Sequence, residues 1–305
     1  VLSTDAGDVI TVTVTATNTG TANAYNLRVL DDLAAVNNLT YAGNLGGANP
    51  PDSVDLSLGA NQPIFQWNAG NAIYPIAPTD SVSFTFQVSV DTPVQPLEVL
   101  TNTITADWTS LPGINTALNS DGRSAANGAA DGMRNGALPN AGDAINDYEA
   151  SVSNNSLSVP PLTMSKTDLN PAMLAEVGAR KQFQIDINLP EGTTNNLLVS
   201  DVLNTGSLSY VLENNAGYAI SYTFQGIASI NGQAPGEAGF NSFPADGATN
   251  TVTWGIGAVV TQSEDDLSVN TISPLIRINY TALINNDMLG NSGASLQNAV
   301  TVNYT

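Results

Sequence analysis

Histidine and cysteine are both missing from this 305-residue chain. Without cysteine there is no disulfide framework, no cysteine-based zinc site and no thiol nucleophile. Without histidine there is no Ser–His or Cys–His pair and no imidazole ligand for a metal. Positive charge is nearly as scarce, with seven Lys and Arg against 27 Asp and Glu, a formal net charge of −20. A field of that sign repels phosphate backbones and anionic lipid, so nucleic acid and the membrane surface are not expected partners. The chain also lacks an apolar run long enough to cross a bilayer, so no direct membrane insertion is expected, and it lacks a secretory leader. The sequence therefore reads as a mature form or an excised part of something longer. Patterns for nucleophile elbows, zinc proteases, phosphate loops and dinucleotide sites are absent, and Glu191, Glu213, Glu237 and Glu264 fall in turns or loops with nothing convergent around them. The expectation is that the protein is not an enzyme.

What fills the chain is Thr, Ser, Asn and Gln, punctuated by Gly and Pro, with only 11% charged residues. Such a surface suits extended strands and turns and gives little support to helices. Strands are legible through period-2 alternation. Ile10, Val12, Val14 and Ala16 share one face while Thr11, Thr13, Thr15 and Thr17 share the other. Later rows of the same kind are Val82, Phe84, Phe86, Val88 and Val90, then Phe183, Ile185, Ile187 and Leu189, then Ile276, Ile278, Tyr280, Ala282 and Ile284. One buried face per strand predicts an all-β fold of two antiparallel sheets packed face to face, an immunoglobulin-like sandwich of about seven strands.

The chain says this twice. GDVITVTVTATNTG, NLRVLDDL, LTYAG, FQWNAG, VSFTFQVSVD and LTNTITADWT return in order as GARKQFQIDINLPEG, NLLVSDVL, LSYVL, VTWGIG, PLIRINYTALI and LQNAVTVNYT. Six matched segments in one order predict two tandem immunoglobulin-like antiparallel β-sandwich domains, 1–159 and 162–305, joined by a stiff hinge at Pro160–Pro161. Trp67 and Trp254 hold equivalent places and are expected in the two cores rather than on a ligand.

Two departures from symmetry are where function is expected. The first repeat carries an acidic Gly/Asn/Asp-rich insertion at about 109–146, and a loop of that length is usually tied down or functional. Asn119, Asp121, Asp131, Asp143 and Asp147 could hold Ca²⁺ there through oxygen ligands, with Asp31 and Asp32 available from the sandwich. Asx-turns and backbone hydrogen bonds are the alternative way of fixing the loop. The insertion could equally recognise a glycan or another surface, although it presents no aromatic residue for stacking on a sugar. The second departure is that 162–305 opens with LTMSKT, for which the first repeat has no counterpart. Its sandwich should then have an open edge or groove unless another strand fills it.

An intramolecular isopeptide bond is a further expectation. Such Lys–Asn bonds in bacterial surface domains join a first-strand lysine to a last-strand asparagine beside a buried carboxyl. The chain has two lysines, Lys166 and Lys181. Lys166 lies on the first strand of the second repeat and Asn298 on its last, with Asp201 or Asp186 as the acid. The alternation of TMSKT leaves open whether Lys166 faces inward or solvent. The four Asn-x-Ser/Thr triplets, at Asn38, Asn154, Asn279 and Asn303, are read as products of composition.

Taken in order, GDVITVTVTATNTGTANAYNLRVLDDL, LTNTITADW, LTMSKT, EGTTNNLLVSDVL and LQNAVTVNY resemble the bacterial surface repeat known as the domain of unknown function 11. The resemblance covers nearly all of the chain outside 109–144. It implies an extracellular, non-catalytic module of large adhesins, surface layers or fibres on the bacterial cell surface, with other copies or neighbouring repeats as partners. The family offers no catalytic residues to carry over.

Overall fold

The computed structural model describes residues 2–36, 38–67, 75–109, 148–172, 176–203, 207–212, 220–264, 273–286 and 298–305. These divide into two compact units. The first comprises Val1–Ser3, Asp8–Asp91 and Val99–Ser158, and the second comprises Thr4–Gly7, Thr92–Glu98 and Val159–Thr305. The division thus falls directly ahead of Pro160–Pro161, while two short pieces of the early chain are built into the second unit. Among the described residues, structure is all β apart from two single-turn 3₁₀ segments, Leu33–Ala35 and Glu237–Gly239.

Unit 1 contains β1 (Leu2–Ser3), β2 (Val9–Thr17), β3 (Tyr25–Asp31), β4 (Leu39–Gly46), β5 (Ser53–Asp55), β6 (Ile64–Gln66), β7 (Ser81–Val90), β8 (Val99–Thr109) and β9 (Glu149–Ser158). Six of these form one sheet in the order β1-β9-β8-β3-β6-β5, and three form the other in the order β2-β7-β4. All pairings are antiparallel except that of β1 with β9, where Leu2 and Ser3 run parallel to Leu157 and Ser158. The two sheets meet through aromatic rings, with Phe65 of β6 4.9 Å from Phe84 and 4.8 Å from Phe86 of β7, centroid to centroid. The strict alternation of β7 explains this: Val82, Phe84, Phe86, Val88 and Val90 are all buried while the residues between them are half-buried or exposed.

Unit 2 contains β10 (Thr163–Asp168), β11 (Arg180–Asn188), β12 (Thr193–Val202), β13 (Leu208–Val211), β14 (Ser221–Gln225), β15 (Ile227–Ile230), β16 (Thr251–Thr261), β17 (Leu275–Ile284) and β18 (Ala299–Asn303). One sheet runs β10-β11-β17-β13, with β14 also on β17, and the other runs β15-β16-β12-β18. Trp254 of β16 packs against Tyr210 of β13 and Tyr280 of β17 at 5.9 and 5.3 Å, closing the sandwich. Trp67 and Trp254 are both buried in their cores, as their matched positions predict.

Each unit thus has nine described strands rather than about seven. The extra ones are short edge pieces and, in unit 1, the long β9, which covers the outer side of β8.

The matched segments adopt matched roles, which gives a residue-by-residue correspondence. β2, β3, β4, β7 and β8 of unit 1 answer to β11, β12, β13, β17 and β18 of unit 2. The two β11 and β2 edges differ. β11 is paired on both sides, to β10 and β17, over most of its length. Among the described residues β2 is paired to β7 alone. Its inward residues Val12, Val14 and Ala16 are only half-buried, whereas the matching Ile185 and Ile187 are fully buried.

Candidate functional site

In unit 2 the side chains of β10 alternate outward and inward, so Met164, Lys166 and Asp168 point into the sandwich while Thr163, Ser165 and Thr167 are exposed. The inward direction of Lys166 follows from Leu162 and Met164, which stand in phase with it and pack on the core. The lysine stem crosses the ring of Phe183, placing Nζ 4.6 Å from the centroid, and only 11% of the side chain remains accessible. Its ammonium donates to both oxygens of Asp201, at 2.7 and 2.6 Å, and to the hydroxyl of Tyr280 at 3.0 Å.

Asp201 lies on β12 between β16 and β18 and is completely buried. Tyr280, on β17, donates its hydroxyl proton to Asp201 Oδ2. Asn298, directly ahead of β18, donates from Nδ2 to the same Tyr280 oxygen at 3.0 Å, and its buried Oδ1 has no partner among the described residues. The phenol therefore gathers the amine, the carboxyl and the carboxamide around one oxygen. Asp186, the other acid considered from the sequence, is taken up elsewhere: Arg277 holds it through Nε and Nη2 at 2.7 and 2.8 Å and keeps its carboxyl below the usual range. Lys181 is likewise engaged, with Asp168 at 2.7 Å and the carbonyl of Asn170 at 2.8 Å.

Burial acts on the pair in opposite senses. Desolvation pulls the Lys166 ammonium below its ordinary pKa and pushes the Asp201 carboxyl above its own, and in each case the partner's charge opposes the shift without cancelling it. Desolvation with the adjacent Asp201 charge also raises Tyr280, so it stays a neutral donor. The arrangement moves both groups toward a neutral amine beside a protonated acid, the state in which an amine can attack a carbonyl carbon.

Unit 1 holds the corresponding acid and amide. Asp31 stands where Asp201 does and is fully buried, opposite Ile104 of β8. Asn102, the counterpart of Asn298, donates from Nδ2 to Asp31 Oδ2 at 3.1 Å. Asp31 Oδ1 and Asn102 Oδ1 are both buried with no partner among the described residues. Phe86 occupies the place of Tyr280, so the amide meets the acid directly, and neither lysine of the chain belongs to this unit. Burial pushes the Asp31 carboxyl up to about 7, against the hydrogen bond from Asn102 and helped by the neighbouring Asp32. Asp32 itself accepts a hydrogen bond from Gln62 at 2.8 Å.

Beside the edge of β2 that is unpaired among the described residues lies a groove of about 650 Å³, lined by Val14 and Ala16 of β2, Leu27 of β3, Ile104 and Ala106 of β8, and Val152 of β9. In unit 2 the matching positions face Met164 and Lys166, which pair in register with Ile187 and Ile185.

The residues considered for Ca²⁺, namely Asn119, Asp121, Asp131, Asp143 and Asp147, lie outside the described residues, as does the insertion considered for glycan recognition. Among the described residues no group of three or more Asp and Glu is placed to hold a metal ion. The sequence had named Lys166, Asp201 and Asn298, and the structure brings these three together. Tyr280 was visible only as one more member of an inward row. The Asp31–Asn102 pair went unremarked, although the internal repeat aligns it with Asp201 and Asn298.

No family model matches the chain, and no curated protein matches it. Among solved structures it is similar to the T6 backbone pilin of serotype M6 Streptococcus pyogenes, at 12% identity and a TM-score of 0.28, over 98% of this chain and 58% of that one. It is also similar to the full-length major pilin SpaD of Corynebacterium diphtheriae, at 10% identity and a TM-score of 0.28, over 93% of this chain and 56% of that one. The chain thus spans somewhat over half the length of these pilins, and likeness at this level carries no conclusion about function.

Proposed function

We propose that the chain is a load-bearing segment of an extracellular bacterial fibre or surface array, and that unit 2 is locked by an isopeptide bond between Lys166 and Asn298. One observation carries this reading: an amine on the first strand of unit 2, a buried acid on the third and a carboxamide directly ahead of the last are gathered around the Tyr280 hydroxyl. In the reaction Lys166 passes a proton to Asp201 and its neutral Nζ attacks Cγ of Asn298. The Nζ–Cγ bond forms, Nζ gives up its second proton, which Asp201 relays to the departing nitrogen as the Cγ–Nδ2 bond breaks, and ammonia leaves with Asp201 still protonated. The step runs once per molecule, so it is self-modification and not turnover. Its use is mechanical, because a covalent link between the first and last strands diverts tension away from the β-ladder.

The strand-rich, weakly charged composition and the absence of recognisable catalytic patterns accord with a structural role. Assembly with other copies would run through strand edges, of which the free side of β2 is the longest among the described residues.

Two measurements test the reading. The intact mass of the purified chain is expected to fall short of the sequence mass by one ammonia, with tandem mass spectrometry locating the link at Lys166 and Asn298. Electron microscopy of native material is expected to show regular filaments or arrays with this chain as the repeating element. A full sequence mass together with isolated monomers would overturn it.

A further inference from the structure

Unit 1 contains the acid and the amide of the same site and lacks the amine and the tyrosine hydroxyl. An acid and an amide sit in the positions that Asp201 and Asn298 hold in unit 2, each with a buried oxygen that has no partner among the described residues. A fully buried carboxyl with an unpaired oxygen is costly, and a cation supplied to it would remove that cost. Among the described residues the edge of β2 from Ile10 to Thr17 has one side unpaired, beside a groove lined by apolar residues of both sheets. An unpaired edge, an apolar groove and an orphaned acid all occur where unit 2 places one strand, β10, with its Met164 and Lys166.

We infer that this groove is a receptor for a lysine-bearing β-strand from a second polypeptide, which adds to β2 and joins its lysine to Asn102. The inference rests on the fibre reading above. The register of unit 2 fixes the geometry. The strand runs antiparallel to β2, its lysine lies beside Val14 as Lys166 lies beside Ile185, and an apolar residue two positions earlier fills the groove beside Ala16 as Met164 does beside Ile187.

The lysine does not come from residues 1–305. Lys166 and Lys181 are both held by carboxylates of unit 2. Nor do the residues directly ahead of β2 supply the strand, since Leu2 and Ser3 are paired along β9 and Thr4–Gly7 belong to unit 2. Charge favours the encounter, because a chain with a net charge of −20 attracts a basic strand.

The chemistry balances as it does in unit 2. The incoming ammonium yields a proton to the Asp31 carboxylate, Nζ bonds to Cγ of Asn102 and gives up its second proton, which Asp31 relays to the departing nitrogen as the Cγ–Nδ2 bond breaks, and ammonia leaves with Asp31 still protonated. Phe86 provides no hydroxyl to hold the amide, and Asn102 instead rests directly on the acid. Fibres built this way are covalently continuous from subunit to subunit.

The test uses the 305-residue chain and a synthetic peptide with the sequence LTMSKTD, that of residues 162–168. Incubation is expected to give an adduct whose mass is the sum of the two less one ammonia, with the link mapped to Asn102. The same peptide with norleucine for lysine is expected to bind without forming the adduct. Because the protein is unchanged in that comparison, folding of a variant is not at issue. Asn102→Ala is expected to abolish the adduct while leaving the ammonia loss of unit 2 intact. A chain that shows the unit 2 mass deficit but neither binds nor captures the peptide would overturn this inference and leave the fibre reading standing. In native material, peptide mapping is expected to find Asn102 joined to a lysine of another polypeptide, and a link to a lysine of its own polypeptide would overturn the intersubunit source.

Discussion

Asp31 shows how one missing side chain changes the behaviour of a residue. Asp201 is just as deeply buried, but it has an ammonium against it. Asp31 has a single amide donor, and its carboxyl is raised from 3.8 to about 7. The folded state therefore holds a proton that the unfolded chain has already lost. Stability drawn from this group is greatest near pH 4, falls as pH rises toward 7, and levels off above it. The shift corresponds to a loss on the order of 4 kcal/mol. Urea unfolding of the 305-residue chain between pH 4.5 and 8 is expected to show this fall, and Asp31→Asn is expected to flatten it. Identical profiles for the two proteins would mean that Asp31 titrates normally and that its oxygen is not orphaned. The acidity of a lone aspartate was not readable from the sequence, since DDL at positions 31–33 looks like an ordinary polar strand end. It became readable only when the repeat put Asp31 on Asp201.

Strands were the part of the fold that the sequence disclosed most fully, because one buried face leaves a period-2 trace. The inward rows of β7 and β17 are those that alternation marks. Short edge strands such as β5 and β15 were missed, since three or four residues carry too little pattern. The parallel pairing of β1 with β9 was missed because two residues carry none. The direction of Lys166 was ambiguous for a different reason: long amines and threonines are both tolerated on exposed faces, and only Leu162 and Met164 in phase with it decide the matter. The unequal edges of β2 and β11 make a prediction of their own. About half of the β2 amides point away from β7, as alternation of ladder bonds requires. In hydrogen-exchange mass spectrometry β2 is expected to exchange substantially faster than β11, and addition of the LTMSKTD peptide is expected to slow it. Equal protection of the two strands would argue that the β2 edge is already covered.

A bulge tunes the neighbouring sheet. Where β12 shifts register against β16, between the pairs Leu197–Gly257 and Leu198–Gly255, Gly257 adopts a φ of +93°. A Cβ there would lie 2.4 Å from the Asn231 side chain, which is fixed by bonds to the carbonyls of Gly239 and Ile256 and by the amide of Ala258. Strain and lost hydrogen bonds together should make Gly257→Ala cost about 2–4 kcal/mol, measured as a lower urea midpoint for unit 2. A change below about 0.5 kcal/mol would show that Asn231 moves aside freely.

At the scale of the whole molecule, the proposed Lys166–Asn298 link would decide how unit 2 responds to force. Closing residues 166–298 into a loop restricts the unfolded chain by about 5 kcal/mol on the entropic model used for cross-links. Asn298→Ala removes that constraint along with one hydrogen bond to Tyr280, itself worth about 1 kcal/mol, while leaving the Lys166–Asp201 pair in place. A loss near 1 kcal/mol with unchanged ammonia content would mean that no bond forms, whereas a loss several times larger is expected. Pulling gives the sharper readout. Tension that passes along 159–305 would enter beside Lys166 and leave beside Asn298, so the proposed bond would carry it directly and bypass the strands between them. At about 3.4 Å per residue the bypassed segment would otherwise contribute roughly 45 nm of extension. Single-molecule force spectroscopy of the wild-type chain is expected to show the unfolding step of unit 1 without this increment, and Asn298→Ala is expected to restore it. Unit 1 would gain a matching bypass only from a strand that brings it a lysine. A fibre of these chains would therefore be extensible at every unfilled receptor and inextensible once each Asn102 is joined to its neighbour, which makes the fraction of missing extension in native filaments a direct count of the joints made.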